Sequence, residues 1–434
     1  MSFQELGLHA DLLKSLVQLG YHEPTPIQQH AIPHALAGRD LIGCAQTGTG
    51  KTAAFTLPII QKLHSSKSRK TKALILTPTR ELAMQIGQVV HGFAANTALT
   101  TASIYGGISM QPQINALRRG TDIVVATPGR LLDHINSGAA RFDALEFLVL
   151  DEADRMLDMG FLPDVRRILE RIPQDRQTMM FSATMSKEIQ KLSKQILIKP
   201  AIAQIGRQAT PAEGVKQSIY SVAQNQKTDL LMTLLNSVEM ESVLIFMRTK
   251  MRANRLARQL KQRGLEVGLI HGDRTQNQRQ AALAGFRTRR FRVLVATDVA
   301  ARGIDIDGIS HVVNFDVPVS PTDYVHRIGR TARAKAVGEA LTLVSDAEEG
   351  SLEAIQRLVK TKIERKPLPK LNWEKMISPV KFRLAANKNG LRAKALNRSG
   401  TRQKNQIIAA ENLQDFPLKS QLMCYPGCFQ QSCW

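Results

Sequence analysis

The sequence predicts an α/β fold: two tandem parallel-sheet domains followed by a basic, mostly disordered C-terminal tail. Three observations carry that expectation. Short β-branched runs alternate with helix-length amphipathic stretches from Asp40 to Ser182. The same rhythm restarts at Ser242 and continues to Val344. From Ile363 onward the apolar residues lose sustained periodicity and cations dominate.

In the first half the strand-like runs are Asp40–Cys44, Ala73–Thr77, Thr101–Tyr105, Asp122–Ala126, Phe147–Leu150 and Thr178–Ser182. Stretches such as Arg80–Phe93 and Leu162–Ile172 lie between them with helical spacing of apolar residues. Strands alternating with helices imply a parallel sheet covered on both faces. In the second half the candidate strands are Ser242–Phe246, Val267–Ile270, Arg292–Ala296, His311–Phe315 and Glu339–Val344. Candidate helices there are Lys250–Arg263 and Gln276–Arg287. Two of the runs, Asp122–Thr127 and Arg292–Thr297, resemble each other, a weak sign of one fold used twice. Gly206–Pro211 has linker character, which divides the chain into residues 1–208, 209–362 and 363–434.

The chain of 434 residues carries 59 Lys and Arg against 37 Asp and Glu, a formal charge of +22 that points to a polyanionic partner. Residues 363–434 hold 13 of the cations and 4 of the anions, so this tail is expected to add salt-sensitive, non-specific affinity for nucleic acid. Apolar residues make up 43%, enough for a core in each domain and too many for a wholly disordered chain. No apolar run reaches the roughly 18 residues of a membrane helix, and Met1–Ala10 lacks a secretory pattern. Four cysteines do not make a disulfide framework, and the spacing of Cys424, Cys428 and Cys433 is not that of a metal site. These features together read as a cytoplasmic protein in a reducing compartment. Nothing in the sequence demands more than a monomer.

Ala45-Gln-Thr-Gly-Thr-Gly-Lys-Thr52 follows a strand and precedes a helix. Gly48 and Gly50 let the backbone turn tightly, so that N–H groups of Gln46, Thr47 and Thr49 face a phosphate, and the helix adds its dipole. Lys51 is placed to reach β- and γ-phosphates, and the Thr52 hydroxyl to meet Mg²⁺. Ala45 stands where the common pattern has its first glycine. Phe147–Leu150 then runs directly into Asp151-Glu-Ala-Asp154. Functional groups gather at the carboxyl ends of parallel strands, so Asp151 is expected to face Lys51 and hold Mg²⁺, with Glu152 orienting and deprotonating water. Alone, such an acidic cluster would read as a solvated helix N-terminus; after an apolar strand and downstream of a phosphate loop it does not.

With these motifs the sequence resembles the DEAD-box ATP-dependent RNA helicases, most nearly the compact bacterial RhlE type. The resemblance covers residues 2–362 and rests on many short motifs in one order. It implies two RecA-like domains, ATP and Mg²⁺ as cofactors, RNA single strands and short duplexes as the partner, and ribosome-assembly or RNA-decay proteins as further partners. Gly20–Gln28 is similar to the family's adenine-reading motif, which implies base contacts from Gln28 and from Phe3 or Tyr21. Pro78-Thr79-Arg80, Gly106-Gly107 and Thr127-Pro128-Gly129-Arg130 resemble the first domain's RNA-contacting motifs, and Ser182-Ala183-Thr184 the motif coupling hydrolysis to unwinding. In the second half Thr249, Gln276, Arg279 and Thr297 match RNA-contacting positions, and Asp305 a ribose ligand. His326–Arg333 resembles the arginine-finger motif, with Arg330 and Arg333 reaching the γ-phosphate. Ala332 departs from the family's usual glycine there. The implied activity is RNA-dependent ATP hydrolysis with local unwinding of short duplexes and remodelling of RNA or RNA–protein complexes. An ATP-gated RNA clamp with slow turnover, a DNA helicase and a catalytically dead scaffold are the alternatives, the last disfavoured because no expected catalytic residue is missing. Aromatic residues are only 5%, which favours backbone contacts over base stacking.

Overall fold

The computed structural model describes residues 2–45, 48–65, 70–204, 214–237, 240–301, 308–331 and 338–369. Among the described residues fourteen strands lie in two sheets. The first holds β1 (Leu41–Cys44), β2 (Ala73–Leu76), β3 (Thr101–Ile104), β4 (Ile123–Ala126), β5 (Phe147–Leu150), β6 (Gln177–Ser182) and β7 (Ala201–Gln204). The second holds β8 (Val215–Ser221), β9 (Val243–Met247), β10 (Val267–Ile270), β11 (Val293–Thr297), β12 (His311–Asn314), β13 (Gly338–Val344) and β14 (Glu364–Arg365).

The strand orders are β3-β4-β2-β5-β6-β1-β7 and β10-β11-β9-β12-β13-β8-β14, and every pairing is parallel. Adding seven to each label of the first order gives the second, so the fold is used twice. The two look-alike runs fall on β4 and β11, which occupy the same place in their sheets. Both sheets follow the expected RecA-like, doubly wound plan. Parallel strands packed on both faces need apolar side chains on both, and β1, β2, β4, β5, β9 and β11 are buried at every residue.

Every expected strand forms, with ends shifted by at most a residue or two. Three strands escape the sequence pattern. β7 buries only alternate residues, and β8 opens Val215-Lys216-Gln217 with full burial starting only at Ser218. β14 is a two-residue edge strand, Glu364–Arg365, beside β8. Ile363 is 4% exposed and Lys366 N–H bonds Ile219 O at 2.9 Å. The second sheet therefore extends past residue 362, where the tail was expected to begin. The linker expected at residues 206–211 and the tail from residue 370 lie outside the described residues.

Candidate nucleotide and RNA sites

The strand order sorts the motifs. β1, β6 and β5 are neighbours, and their carboxyl ends carry the phosphate loop, Ser182–Thr184 and Asp151–Asp154. β2, β4 and β3 fill the other side of the sheet, and their ends carry Pro78–Arg80, Thr127–Arg130 and Gly106–Gly107.

At the phosphate loop Gly50 caps the helix Lys51–Leu63 with a left-handed φ of 93°. A Cβ there would stand 2.4 Å from Gln28 Nε2 and 2.8 Å from Thr25 Oγ1, so this glycine is required both by its backbone and by its neighbours. Gln28 is 1% exposed. Its carbonyl accepts from Thr25 N–H at 2.9 Å and its amide donates to Gly50 O at 3.0 Å. Thr25 Oγ1 donates to Thr49 O at 2.8 Å. The expected adenine reader is thus engaged with the phosphate loop itself. Tyr21 lines the cavity beside the loop, together with Gly48, Lys51 and Thr52. Phe3, the other expected base contact, does not line it. Its ring is buried among Leu6, Leu8 and Leu12, where an aromatic side chain is best removed from water. Gln46 and Thr47 lie outside the described residues.

Lys51 donates to Ala45 O at 2.7 Å, an acceptor that a phosphate oxygen would replace. Asp151 and Glu152 complete the cavity wall, each 3% exposed. Asp151 Oδ1 finds no hydrogen-bond partner among the described residues. Burial pushes its carboxyl up to about 7, with Lys51 pulling down and Glu152 pushing up. Glu152 holds φ at 53°, a sparsely populated backbone for a residue with a side chain, and its carboxylate meets Arg155 at 2.9 Å. Strain of that kind persists only where the surroundings fix it, and here the buried pair does so.

Asp154 turns the other way, towards the Ser182–Thr184 turn. Its Oδ2 accepts from the N–H groups of Ala183 and Thr184 at 3.2 and 2.9 Å and from Thr184 Oγ1 at 3.0 Å. Ser182 Oγ accepts from Asp154 N–H at 3.3 Å. Hydrogen bonds thus join the acidic motif to this triplet. Burial raises the Asp154 carboxyl, but His326, Arg155 and Lys51 outweigh it and hold the group below its ordinary value. His326 belongs to the second half. Arg330, from the same segment, lines the cavity beside Lys51 and Asp151 and is 3% exposed. The cavity is therefore built from both halves. Arg333, Ala332 and Asp305 lie outside the described residues.

The finger segment has an anchor that the motif reading did not single out. Arg327 forms a bidentate pair with Asp298, at 2.5 and 2.7 Å, and also donates to Asp316 O at 2.7 Å. It is 2% exposed, and its guanidinium lies 5.1 Å from the Phe246 ring centroid. Such pairing fixes the helix Pro321–Ile328 that delivers Arg330.

On the other side of the first sheet, Arg80 lies over the turn at Gly106-Gly107. A Cβ on Gly107, whose φ is 84°, would stand 2.2 Å from Arg80 Nη1. Thr79 and Thr127 cap the helices after β2 and β4, Pro78 is buried at the strand end, and nothing lies within 4 Å of a Cβ added to Gly129. Arg130 donates to Ile108 O at 3.1 Å, which ties this segment to the glycine turn. In the second half Thr249 caps the helix after β9, and Thr297 ends β11, the same places in the repeated fold. Gln276 and Arg279 were expected at the RNA surface. They are instead buried against Glu81 of the first half, at 3.1 and 2.9 Å, because a guanidinium and an amide beside a buried carboxylate satisfy it. Glu81 lies within the motif Pro78–Ala83, but nothing local in the sequence points to this contact.

A second cavity occupies the repeated position in the other half. The first is walled by Leu82, Gln85, Ile86 and Val89, the second by Arg252, Arg255, Leu256 and Gln259, each pair separated by one constant interval. Thr228 and Phe315 line the second cavity, where the first has Lys51 and Asp151. Among the described residues no lysine or carboxylate lines the second cavity.

Residues 25–192 match the family model for the DEAD/DEAH box helicase, and residues 226–335 that for the helicase conserved C-terminal domain. The chain is 43% identical over 371 residues to the DEAD-box ATP-dependent RNA helicase CshA of Geobacillus kaustophilus, covering 86% of this chain and 79% of that protein. It is 40% identical over 395 residues to CshA of Bacillus subtilis, covering 90% and 80%. Both names support a bacterial member, and neither supports the RhlE subtype. Among solved structures, S. cerevisiae Dbp5 bound to RNA and ADP BeF3 superposes with a TM-score of 0.79 at 34% identity, covering 86% of this chain and 97% of that one.

Proposed function

The chain belongs to the DEAD-box family of ATP-dependent RNA helicases, and from that membership we propose how its own residues divide the work of RNA-dependent ATP hydrolysis and unwinding. The observation that carries the proposal is Arg330, a second-half residue in the wall of a first-half phosphate cavity. Lys51 and the N–H groups of the loop hold the β- and γ-phosphates. Tyr21 flanks the base, and Gln28 and Thr25 couple base recognition to the loop by gripping Thr49 and Gly50. Glu152 orients and deprotonates water, held by Arg155. Arg330 meets the charge that develops on the transferred group. Asp305 and Arg333 are proposed for the ribose and the γ-phosphate by family position alone.

Mg²⁺ fits the donors present: a Thr52 hydroxyl and the unpartnered, buried Asp151 oxygen are the hard oxygen ligands it prefers. When bound it supplies charge neutralisation between β- and γ-phosphates. Asp151 must be ionised for that role. Its folded-state pKa of about 7 lies above the ordinary 3.8, so between those values the folded protein keeps a proton that the unfolded chain has lost. This group's contribution to stability therefore falls as pH rises through that window, by about 1.4 kcal/mol per pH unit, and is level above it. Urea unfolding of the metal-free protein between pH 5 and 8 is expected to show this slope, and Asp151→Asn is expected to lose it.

RNA is proposed to lie along Arg80, Gly106-Gly107, Thr127–Arg130, Thr249 and Thr297, at the ends of matching strands in both sheets, with contacts mainly to its backbone. Gln276 and Arg279 are assigned to joining the halves through Glu81. RNA and ATP each engage both halves, so each favours the closed arrangement and tightens the other's binding. That arrangement admits a single strand, and closure pries a short duplex apart locally. Asp154 carries the link: Thr184→Val removes one of its hydrogen bonds and should leave ATP affinity within about twofold while lowering duplexes unwound per ATP several-fold. Parallel ATPase and strand-displacement assays check this, and an equal fall in both would contradict it. We place the first domain at residues 1–204 and the second at 214–369, acting as a monomer in the cytoplasm. No helix among the described residues is long and apolar enough to cross a membrane.

A further inference from the structure

At the end of the helix Lys51–Leu63 remote from the phosphate loop, three side chains of metal-ligating type converge. His64 caps that helix, His9 caps the helix Ala10–Gln18, and Asp11 lies in the first turn of the latter. Asp11 Oδ2 stands 2.9 Å from His64 Nε2 and 3.4 Å from His9 Nδ1. The donor atoms of all three lie within 4.8 Å of one another. Tetrahedral bonds of about 2.0–2.1 Å place neighbouring ligand atoms about 3.3 Å apart, so the two measured separations are close to that edge.

An ordinary helix cap explains part of this arrangement, since His9 Nδ1 accepts from Asp11 N–H at 3.3 Å. The 2.9 Å contact between His64 Nε2 and Asp11 Oδ2 is itself a hydrogen bond and ties the two helices together at this point. Gln61, one turn before His64, accepts from His9 N–H at 2.7 Å and donates to Gly7 O at 3.5 Å. The backbone beside His9 is thereby held against the helix that ends in His64. The two imidazoles face each other with centroids 3.9 Å apart, and a shared ion requires them to turn outward. The His9 side chain is 47% exposed and has room to do so.

We propose that His9, Asp11 and His64 form a zinc-class transition-metal site, distinct from the Mg²⁺ position at Thr52 and Asp151. Two imidazoles, one carboxylate and a water complete a tetrahedral set, whereas Mg²⁺ demands octahedral oxygen ligands and is a poor competitor. The ion would clip the start of the chain to the end of the phosphate-loop helix. Between those two points lie Tyr21, Thr25, Gln28 and the whole loop from Ala45 to Thr52. Metal binding therefore closes the segment from which the nucleotide pocket is built, and it stabilises the folded state by linkage.

The test is zinc titrated calorimetrically into chelator-treated full-length protein with Mg²⁺ present throughout. Cys424, Cys428 and Cys433 are replaced by Ser in every sample to remove competing thiolates. The expected result is one bound equivalent, lost in His64→Ala, weakened at least tenfold in Asp11→Asn, and retained in His91→Ala, which alters an exposed histidine elsewhere. The thermal unfolding midpoint should rise with zinc only in the proteins that retain the equivalent. Zinc binding and a melting shift that survive both His64→Ala and Asp11→Asn would overturn the proposal. Absence of any bound equivalent in the parent protein would do the same.

Discussion

Arg330→Ala is expected to lower RNA-stimulated ATP turnover by about 10³-fold or more, the range of an arginine finger, while ATP binding changes little. The split follows from geometry. Lys51 and Thr52 line the cavity from the first half, where they are proposed to hold the phosphates, and Arg330 lines it from the second. Stabilisation that appears only as charge shifts onto the transferred phosphoryl belongs to kcat and not to ground-state affinity. Arg330→Lys should recover only part of the loss, because an ammonium keeps the charge but not the planar fork. Nucleotide affinity by fluorescence titration, beside multiple-turnover ATPase, checks both halves of the expectation. A variant that loses ATP binding in proportion to turnover would place Arg330 in ground-state binding instead. Arg327 supplies a control: Arg327→Ala removes the Asp298 pair and should disturb the finger through its supporting helix.

The second large effect is at Glu152. Glu152→Gln keeps the size of the side chain and a hydrogen-bonding oxygen for Arg155 but removes the base. Turnover is expected to fall by about 10²–10⁴-fold, the usual contribution of a positioned general base. ATP and RNA should still bind together, so the variant should hold RNA in an ATP-dependent, long-lived complex. A filter-retention assay with and without ATP reads this directly. Retention without ATP dependence would separate RNA grip from nucleotide state. The same assay on wild type addresses the slow-clamp alternative: rapid hydrolysis with prompt RNA release excludes it.

Much of the fold was legible because buried parallel strands are apolar on both faces and stop abruptly at their functional loops. Phe147–Leu150 running into Asp151 is such a case, and so is Leu41–Cys44 running into the phosphate loop. β8 and β14 were not legible. The first carries the polar residues Lys216, Gln217 and Ser218 directly after its opening Val215, and the second is a charged pair at a sheet edge. The repeat was visible only faintly, through β4 and β11, since its evidence lies in the strand order and not in residue identity.

The site divides in the same way. Residues whose placement depends on local backbone, such as Gly50, Lys51, Asp151 and Ser182–Thr184, lie where the motifs put them, at strand ends around one cavity or turn. Residues whose role is set by a distant partner were not readable from the motif alone. Glu81 meets Gln276 across 195 positions of sequence, and no local pattern reports that contact. Gln28 and Phe3 show the converse. Their motif suggested the base, while packing places one on the phosphate loop and the other in the core.

RNA and ATP together are proposed to assemble one catalytic site from two domains. Steady-state ATP hydrolysis with and without single-stranded RNA, with DNA of the same length and sequence as control, tests it most directly. Strong stimulation by RNA, weak stimulation by DNA, and loss of both in Lys51→Ala is the predicted result. A rate in wild type that is the same with and without RNA would contradict it.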